Sequence, residues 1–224
     1  METTDCIKKR RSVRKFMDIP LDWDVVTKII DAARYTPTSG NLQNNKFIVV
    51  FDKGKIKKLC GACASQAWMS TAPAIIVVCS EPDKAKKFYG IRGERLYSIQ
   101  NSAAAAMVIM LAACDVGLAT CWVGAFDEDA VKSTLGIPGS IRPQVIIPIG
   151  YPDETPSKLP KYRLQDVLGI DRYDNKYEDL SEFTGWSSVR VEKTVKNTLK
   201  AVKKGAKKLS EKVVEKVKEI KKKK

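Results

Sequence analysis

The sequence predicts an α+β fold. Three short apolar runs carry the prediction: Phe47–Phe51, Ala74–Cys79 and Val145–Ile149 are rich in β-branched and aromatic residues and have the length of buried strands. The helical segments between them differ in length. Strands and helices do not alternate strictly, as a doubly wound parallel sheet would require. With 224 residues, 44% hydrophobic and 29% charged, the chain can form one sizeable core with length left over.

In chain order, Asp22 suits a helix N-cap, and Val25, Val26, Ile29, Ile30 and Ala33 follow at helical spacing. Pro37 and the polar Thr38-Ser39-Gly40-Asn41 stretch end that helix in a loop. After the first strand, Lys55–Met69 reads as a helix, and Pro73 introduces the second strand. Tyr97–Val116 is the longest helix, apolar nearly all round and so expected at the centre of the core, with Gly117 as its C-terminal cap. Asp127 caps a short helix ending at Gly136, and Gly150 closes the third strand. No repeat is visible, and no apolar run approaches the roughly 20 residues that cross a bilayer.

The net charge of +14 is unevenly placed. From Arg190 onward the chain holds fifteen Lys/Arg and four Glu, whereas residues 1–189 hold 25 basic and 22 acidic residues. The body is nearly neutral, so polyanionic partners concern the tail. Histidine is absent, which excludes Ser-His-Asp and Cys-His catalysis and histidine metal ligation. Several of the six cysteines sit in apolar runs, where they act as small hydrophobes. Cys60-Gly-Ala-Cys63 lacks the second pair a zinc site needs, and no metal site is expected. Its two thiols, placed on one helix face, suit packing better than redox work. Met1–Lys9 is polar, and a cytoplasmic protein is expected.

Four segments could carry chemistry. Arg10-Arg11-Ser12-Val13-Arg14 offers forked cations and a hydroxyl to a phosphate, or is a solvated basic terminus. Thr36–Gln43 offers hydroxyls and amides to a heterocycle or a ribityl chain, or is a polar loop. Gly117–Gly124 could bring backbone N–H groups close to a flat ligand, or is a buried strand with turns. Lys161-Tyr162-Arg163 places two cations at i and i+2 of an extended segment, able to close on a phosphate, or simply exposed.

In order and spacing these segments resemble the nitroreductase family of FMN-dependent oxidoreductases over residues 5–170. The family's Arg-x-Ser-x-Arg/Lys-x-Phe segment matches Arg10, Ser12, Arg14 and Phe16. Its Pro-Ser-x-x-Asn-x-Gln loop matches Pro37, Thr38, Asn41 and Gln43. Its Gly-Leu-Gly-x-Cys-Trp-x-Gly stretch matches Gly117, Leu118, Cys121, Trp122 and Gly124, and its Ile-Gly-Tyr-Pro turn with a downstream basic pair matches Ile149–Pro152, Lys161 and Arg163. Three departures stand out: Thr38 replaces serine, Ala119 replaces a frequent glycine, and the loop continues Gln43-Asn44-Asn45 instead of Gln-Pro-Trp.

The resemblance implies a central, mostly antiparallel sheet flanked by helices, in an intertwined homodimer with FMN at the subunit interface. Arg10, Arg11, Ser12, Arg14, Lys161 and Arg163 would hold the phosphate and the polar edge of the flavin. Cys121, Trp122, Val123 and Gly124 would contact the ring, and Pro37, Thr38, Ser39, Asn41 and Gln43 would come from the partner. It further implies ping-pong hydride transfer from NADH or NADPH through flavin N5 to a small organic acceptor such as a nitroaromatic or a quinone, with no catalytic side chain. A protein electron donor is the alternative.

The division expected is a flavin-binding domain over 1–172, a polar linker over 173–189 and a lysine-rich amphipathic helix over 190–224. That tail could be a solvated helix, or could dock on an anionic membrane surface or an acidic partner and make the protein peripheral there. Such docking could be its whole function if the protein is not an enzyme. Nucleic acid is disfavoured, since no aromatic residue follows Trp186 to stack on bases.

Overall fold

The computed structural model describes residues 1–175, in two units. Met1–Lys158 forms the first. Its elements are α1 (Thr3–Lys9), α2 (Trp23–Arg34), β1 (Asn45–Val50), α3 (Lys53–Ala62), β2 (Ala74–Ser80), α4 (Pro82–Arg92), α5 (Ser98–Asp115), β3 (Ala119–Thr120), α6 (Glu128–Leu135) and β4 (Arg142–Gly150). The strands form one antiparallel sheet in the order β1-β2-β4-β3. All of β2 is buried, as its unbroken apolar run demands of a strand covered on both faces. Its pairing with β4 shifts register between Val78 and Cys79.

Side-chain alternation splits the core in two. On one face Ile76, Val78, Val145 and Ile147 pack with Val26 and Ile29 of α2 and Ala105 and Ile109 of α5. On the other, Ile75, Val77 and Ile146 pack with Ile56 and Leu59 of α3 and Val131 of α6. Each such fully buried branched side chain contributes roughly 1.5–3 kcal/mol.

The caps behave as expected. Asp22 accepts from the backbone N–H of Asp24 at 2.9 Å, and Asp127 accepts from Asp129 and Ala130 at 2.9 and 3.0 Å. Gly136 ends α6 in the left-handed region, and Gly117 follows α5 with positive φ.

Two helices depart from the sequence reading. The one placed over Lys55–Met69 stops at Ala62, with Ala64 and Ser65 at φ 52° and 54° before a 3₁₀ turn over Ala67–Thr71. The break lets Cys63 and Met69 enter the same core, which one straight helix would not allow. Cys63 caps α3, and its thiol is buried in the same core as that of Cys60. Burial raises both thiols above their ordinary range, Cys63 to about 12.

The long helix is the second departure. It is preceded by α4 and a π turn over Gly93–Tyr97, in a helical stretch Pro82–Asp115 that is by length and composition apolar enough to cross a membrane. Nor is α5 core all round. Ala105, Ala106, Ile109 and Ala113 are fully buried, but Ala103, Ala104, Met107, Val108, Leu111 and Ala112 are only half-buried in the single chain.

The second unit begins at Leu159 and contains α7 (Leu164–Val167). Asn175 Nδ2 donates to the Ile170 carbonyl at 3.0 Å, closing a turn through Asp171. The amphipathic helix expected over 190–224, and the linker beyond residue 175, lie outside the described residues.

Candidate functional site

The basic segment continues the sheet past β3. Ser12 bridges Thr120 in parallel, and the Val13 N–H donates to the Thr120 carbonyl at 3.1 Å. Farther along, Phe16 bridges Pro152, the Met17 N–H donates to Tyr151 O, and the Lys15 ammonium pairs with Asp153 at 2.7 Å. Val13 and Phe16 are buried, fixing which way this extended strip faces. The Arg10-x-Ser-x-Arg motif is thus held by backbone pairing to the residues around Thr120 and to the turn at 150–153.

The three arginines then differ. Nη1 of Arg11 donates to the carbonyls of Lys8, Lys9 and Arg10, closing the end of α1. Arg14 lies over the Trp68 ring at 5.9 Å, and its backbone N–H donates to Glu154. Arg10 is different: Nε and Nη1 are buried and have no hydrogen-bond partner. The residue lines a cleft of about 260 Å³ together with Arg11, Thr120, Pro152 and Glu154. Buried cationic donors left unpaired cost on the order of 1–3 kcal/mol or more, and an anion in the cleft removes that cost.

Beyond β3 the strip Cys121–Gly124 keeps strand-like alternation. Val123 exchanges hydrogen bonds with Ile146 at 2.9 and 3.0 Å, Cys121 and Val123 point inward, and Trp122 is half-exposed. A Cβ on Gly124 would meet Trp122 Nε1 at 3.3 Å, so the indole packs closely against bare backbone. Burial raises the Cys121 thiol above its ordinary value, against the lowering influence of Arg14, a hydrogen bond with Ser12, and Arg10. It remains a neutral thiol at neutral pH, unsuited to nucleophilic work.

The third cluster is the loop after α2. Thr38 Oγ1 accepts from the Gln43 N–H at 3.0 Å, and Gln43 Nε2 donates to Asn41 Oδ1 at 3.2 Å. Asn41 and Gln43 are left-handed, at φ 54° and 49°. For Gln43 that costs roughly 1–2 kcal/mol, and it persists only where surroundings impose it. Gly40, at φ +54°, has no room for a side chain: a Cβ would lie 2.2 Å from the Tyr89 hydroxyl. Thr38 and Gln43 face a cavity of about 270 Å³ that also meets Arg34, Lys46 and Phe47. Pro37 is exposed, and Ser39 is half-buried.

Asn44 and Asn45, marked by sequence only as a departure, join Asn101 and Ser102, which sequence did not mark, in fastening this loop to α5. Asn101 Oδ1 accepts from the Ser39 N–H at 3.1 Å, and its Nδ2 donates to Ser39 Oγ at 3.0 Å and Asn44 Oδ1 at 2.8 Å. Ser102 donates to Asn45 Oδ1 at 2.8 Å. The Asn44-Asn45 departure is therefore a structural substitution. The available signal was a polar pair, Asn101-Ser102, opening an otherwise apolar helix.

The structure thus brings Arg10, Ser12 and Arg14 together with Cys121–Gly124. Among the described residues no hydrogen bond or ion pair joins them to the Pro37–Gln43 loop within the chain. Lys161 and Arg163 belong to the second unit. There Arg163 is not a free cation: it N-caps α7 and binds Asp166 through Nε and Nη2, at 3.1 and 2.9 Å.

An antiparallel sheet covered by helices on both faces, with a basic strip paired along its edge beside the glycine-flanked segment 117–124, defines an α+β domain. The sequence profile of the nitroreductase family matches residues 7–66 and 61–151. A putative NADH dehydrogenase/NAD(P)H nitroreductase of Archaeoglobus fulgidus is 32% identical over 75% of this chain and 95% of its own length. An FMN reductase [NAD(P)H] of Bacillus subtilis is 25% identical over 85% of this chain and 82% of its own. The crystal structure of a nitroreductase family protein from Clostridium novyi superposes with a TM-score of 0.63 at 31% identity, over 79% of this chain and 97% of that one. The chain belongs to the nitroreductase family, and it is an oxidoreductase with that family's fold.

Proposed function

We propose that the protein is an FMN-dependent NAD(P)H oxidoreductase, working as a homodimer on a small organic acceptor. The observation that carries this reading is the Arg10 guanidinium, buried with Nε and Nη1 unpaired at the edge of a cleft. That donor set fits the phosphate of FMN. Arg10, Ser12 and Arg14 would hold the phosphate and polar edge, and Cys121–Gly124 the ring. The chemistry supplied by bound FMN is hydride transfer from a nicotinamide to the acceptor.

The chain's own residues bind and orient. Fixed cations favour the negative charge that arrives on reduction, and the neutral Cys121 thiol leaves the site without a competing nucleophile. The half-buried stripe of α5 from Ala103 to Ala112 supports dimerisation, since a second copy would cover it and could supply the Pro37–Gln43 loop. The reading takes residues 1–172 as the flavin-binding domain and the remainder as an addition to it.

Purified protein should be yellow and should rebind FMN after stripping; a colourless protein that ignores added FMN refutes the reading. Anaerobic reduction by NADH and NADPH separately identifies the donor, and reduction by neither points to a protein donor. Sedimentation with anionic liposomes, with and without residues 190–224, tests whether the basic tail is a membrane tether.

A further inference from the structure

We infer that Asn101 is a positioning residue for the flavin site, acting through the Pro37–Gln43 loop. The inference rests on the FMN reading above. Asn101 is 6% exposed on the otherwise apolar α5, where a lone amide would be a liability. Its three hydrogen bonds go to the Ser39 N–H, Ser39 Oγ and Asn44 Oδ1, 57 to 62 residues earlier in the chain. No bond goes to its own helix. Both amide hydrogens and the carbonyl oxygen are therefore committed to one target, the loop and its exit into β1.

That loop holds Asn41 and Gln43 in left-handed conformations, a geometry that a free polar loop leaves. Both residues lie between Ser39 and Asn44, so Asn101 clamps both ends of the strained stretch. Ser102, one residue on, clamps Asn45 in the same way. The arrangement keeps the side chains of Asn41 and Gln43 preorganised, which raises ligand affinity by removing an ordering cost at binding.

The loop has no charge of its own, and its hydroxyls and amides suit the ring and ribityl portion that FMN and riboflavin share. Asn101→Ala should therefore weaken FMN and riboflavin by the same factor, about tenfold or 1.4 kcal/mol. Arg10→Ala should instead weaken FMN far more than riboflavin.

The experiment titrates FMN and riboflavin into flavin-stripped full-length wild type, Asn101→Ala and Arg10→Ala, with circular dichroism to verify the fold. Equal weakening of both flavins in Asn101→Ala supports the role. Unchanged affinity, or weakening confined to FMN, overturns it. Should Asn101→Ala not fold, Asn101→Asp carries the same test, since it keeps the size and Oδ1 while removing both N–H donations. Failure of wild type to bind either flavin would overturn the FMN reading itself, a result distinct from wild-type binding that Asn101 variants leave intact.

Discussion

The basic strip at Arg10–Arg14 and the loop at Pro37–Gln43 are built on opposite plans. The strip is fixed by backbone pairing to Thr120 and the 150–153 turn, while its most buried guanidinium is left unanswered. The loop satisfies its polar groups internally and through Asn101, and holds strained backbone to do so. One region keeps attraction in reserve for a ligand; the other keeps shape. Such a division suits a ligand with a highly charged end and a flat, weakly polar body.

Removing Arg10 is expected to have the largest effect. Arg10→Ala should raise the FMN dissociation constant by about 100-fold, yet leave the flavin-free protein about 1 kcal/mol more stable, because an unsatisfied buried cation is gone. Calorimetric titration and thermal melts of the stripped protein measure the two signs. Equal destabilisation of free and bound forms would make Arg10 structural and erase the contrast.

On the loop side, Gly40→Ala forces a side chain into the Tyr89 hydroxyl at positive φ. FMN affinity should fall by about tenfold, with partial recovery in Gly40→Ala/Tyr89→Phe, since the next ring atom stands 3.3 Å away. No recovery would mean that the φ requirement dominates over the contact.

A smaller effect concerns pH. The folded Cys121 thiol is raised above 9.0, so the unfolded chain releases its proton first. Its stabilising contribution is complete below pH 9 and is lost as pH rises through the folded value. Between pH 8 and 10.5, wild type should lose stability more steeply than Cys121→Ser, by at most about 1.4 kcal/mol per pH unit, as denaturant midpoints would report. Parallel curves above pH 9 would place the thiol in contact with solvent. Smallest of all, Lys15→Ala removes an exposed cation already paired with Asp153. Flavin affinity should stay within about twofold and the melting temperature unchanged, as is common for surface pairs.

The strip was more legible in the sequence than the loop's support. Order along the chain is a local property; through the family resemblance it grouped Arg10, Ser12 and Arg14 with the segment 117–124, and the structure pairs Ser12 with Thr120. Helix caps at Asp22 and Asp127 were legible for the same reason. The Asn101 clamp was not, because its partners lie 57 or more residues away and a polar residue in a helix does not announce what it faces. The bend at Ala64-Ser65 was hidden too: a single serine beside an alanine is a weak turn signal, and only burial of Cys63 and Met69 in one core requires the bend. The half-covered side of α5 looked like core because the helix is apolar nearly all round, a pattern that does not tell which side is covered.

The pairing of the N-terminal strip with the 150–153 turn also sets an order of events during synthesis. Arg14 and Glu154 are 140 residues apart, so at cellular translation rates of about 5–20 residues per second the arginines wait roughly 7–30 s for their scaffold. The site closes late, after the helices and strands between have emerged. A nascent chain halted before β4 would carry every arginine of the cluster, yet lack the 150–153 turn and the strand that β3 pairs with.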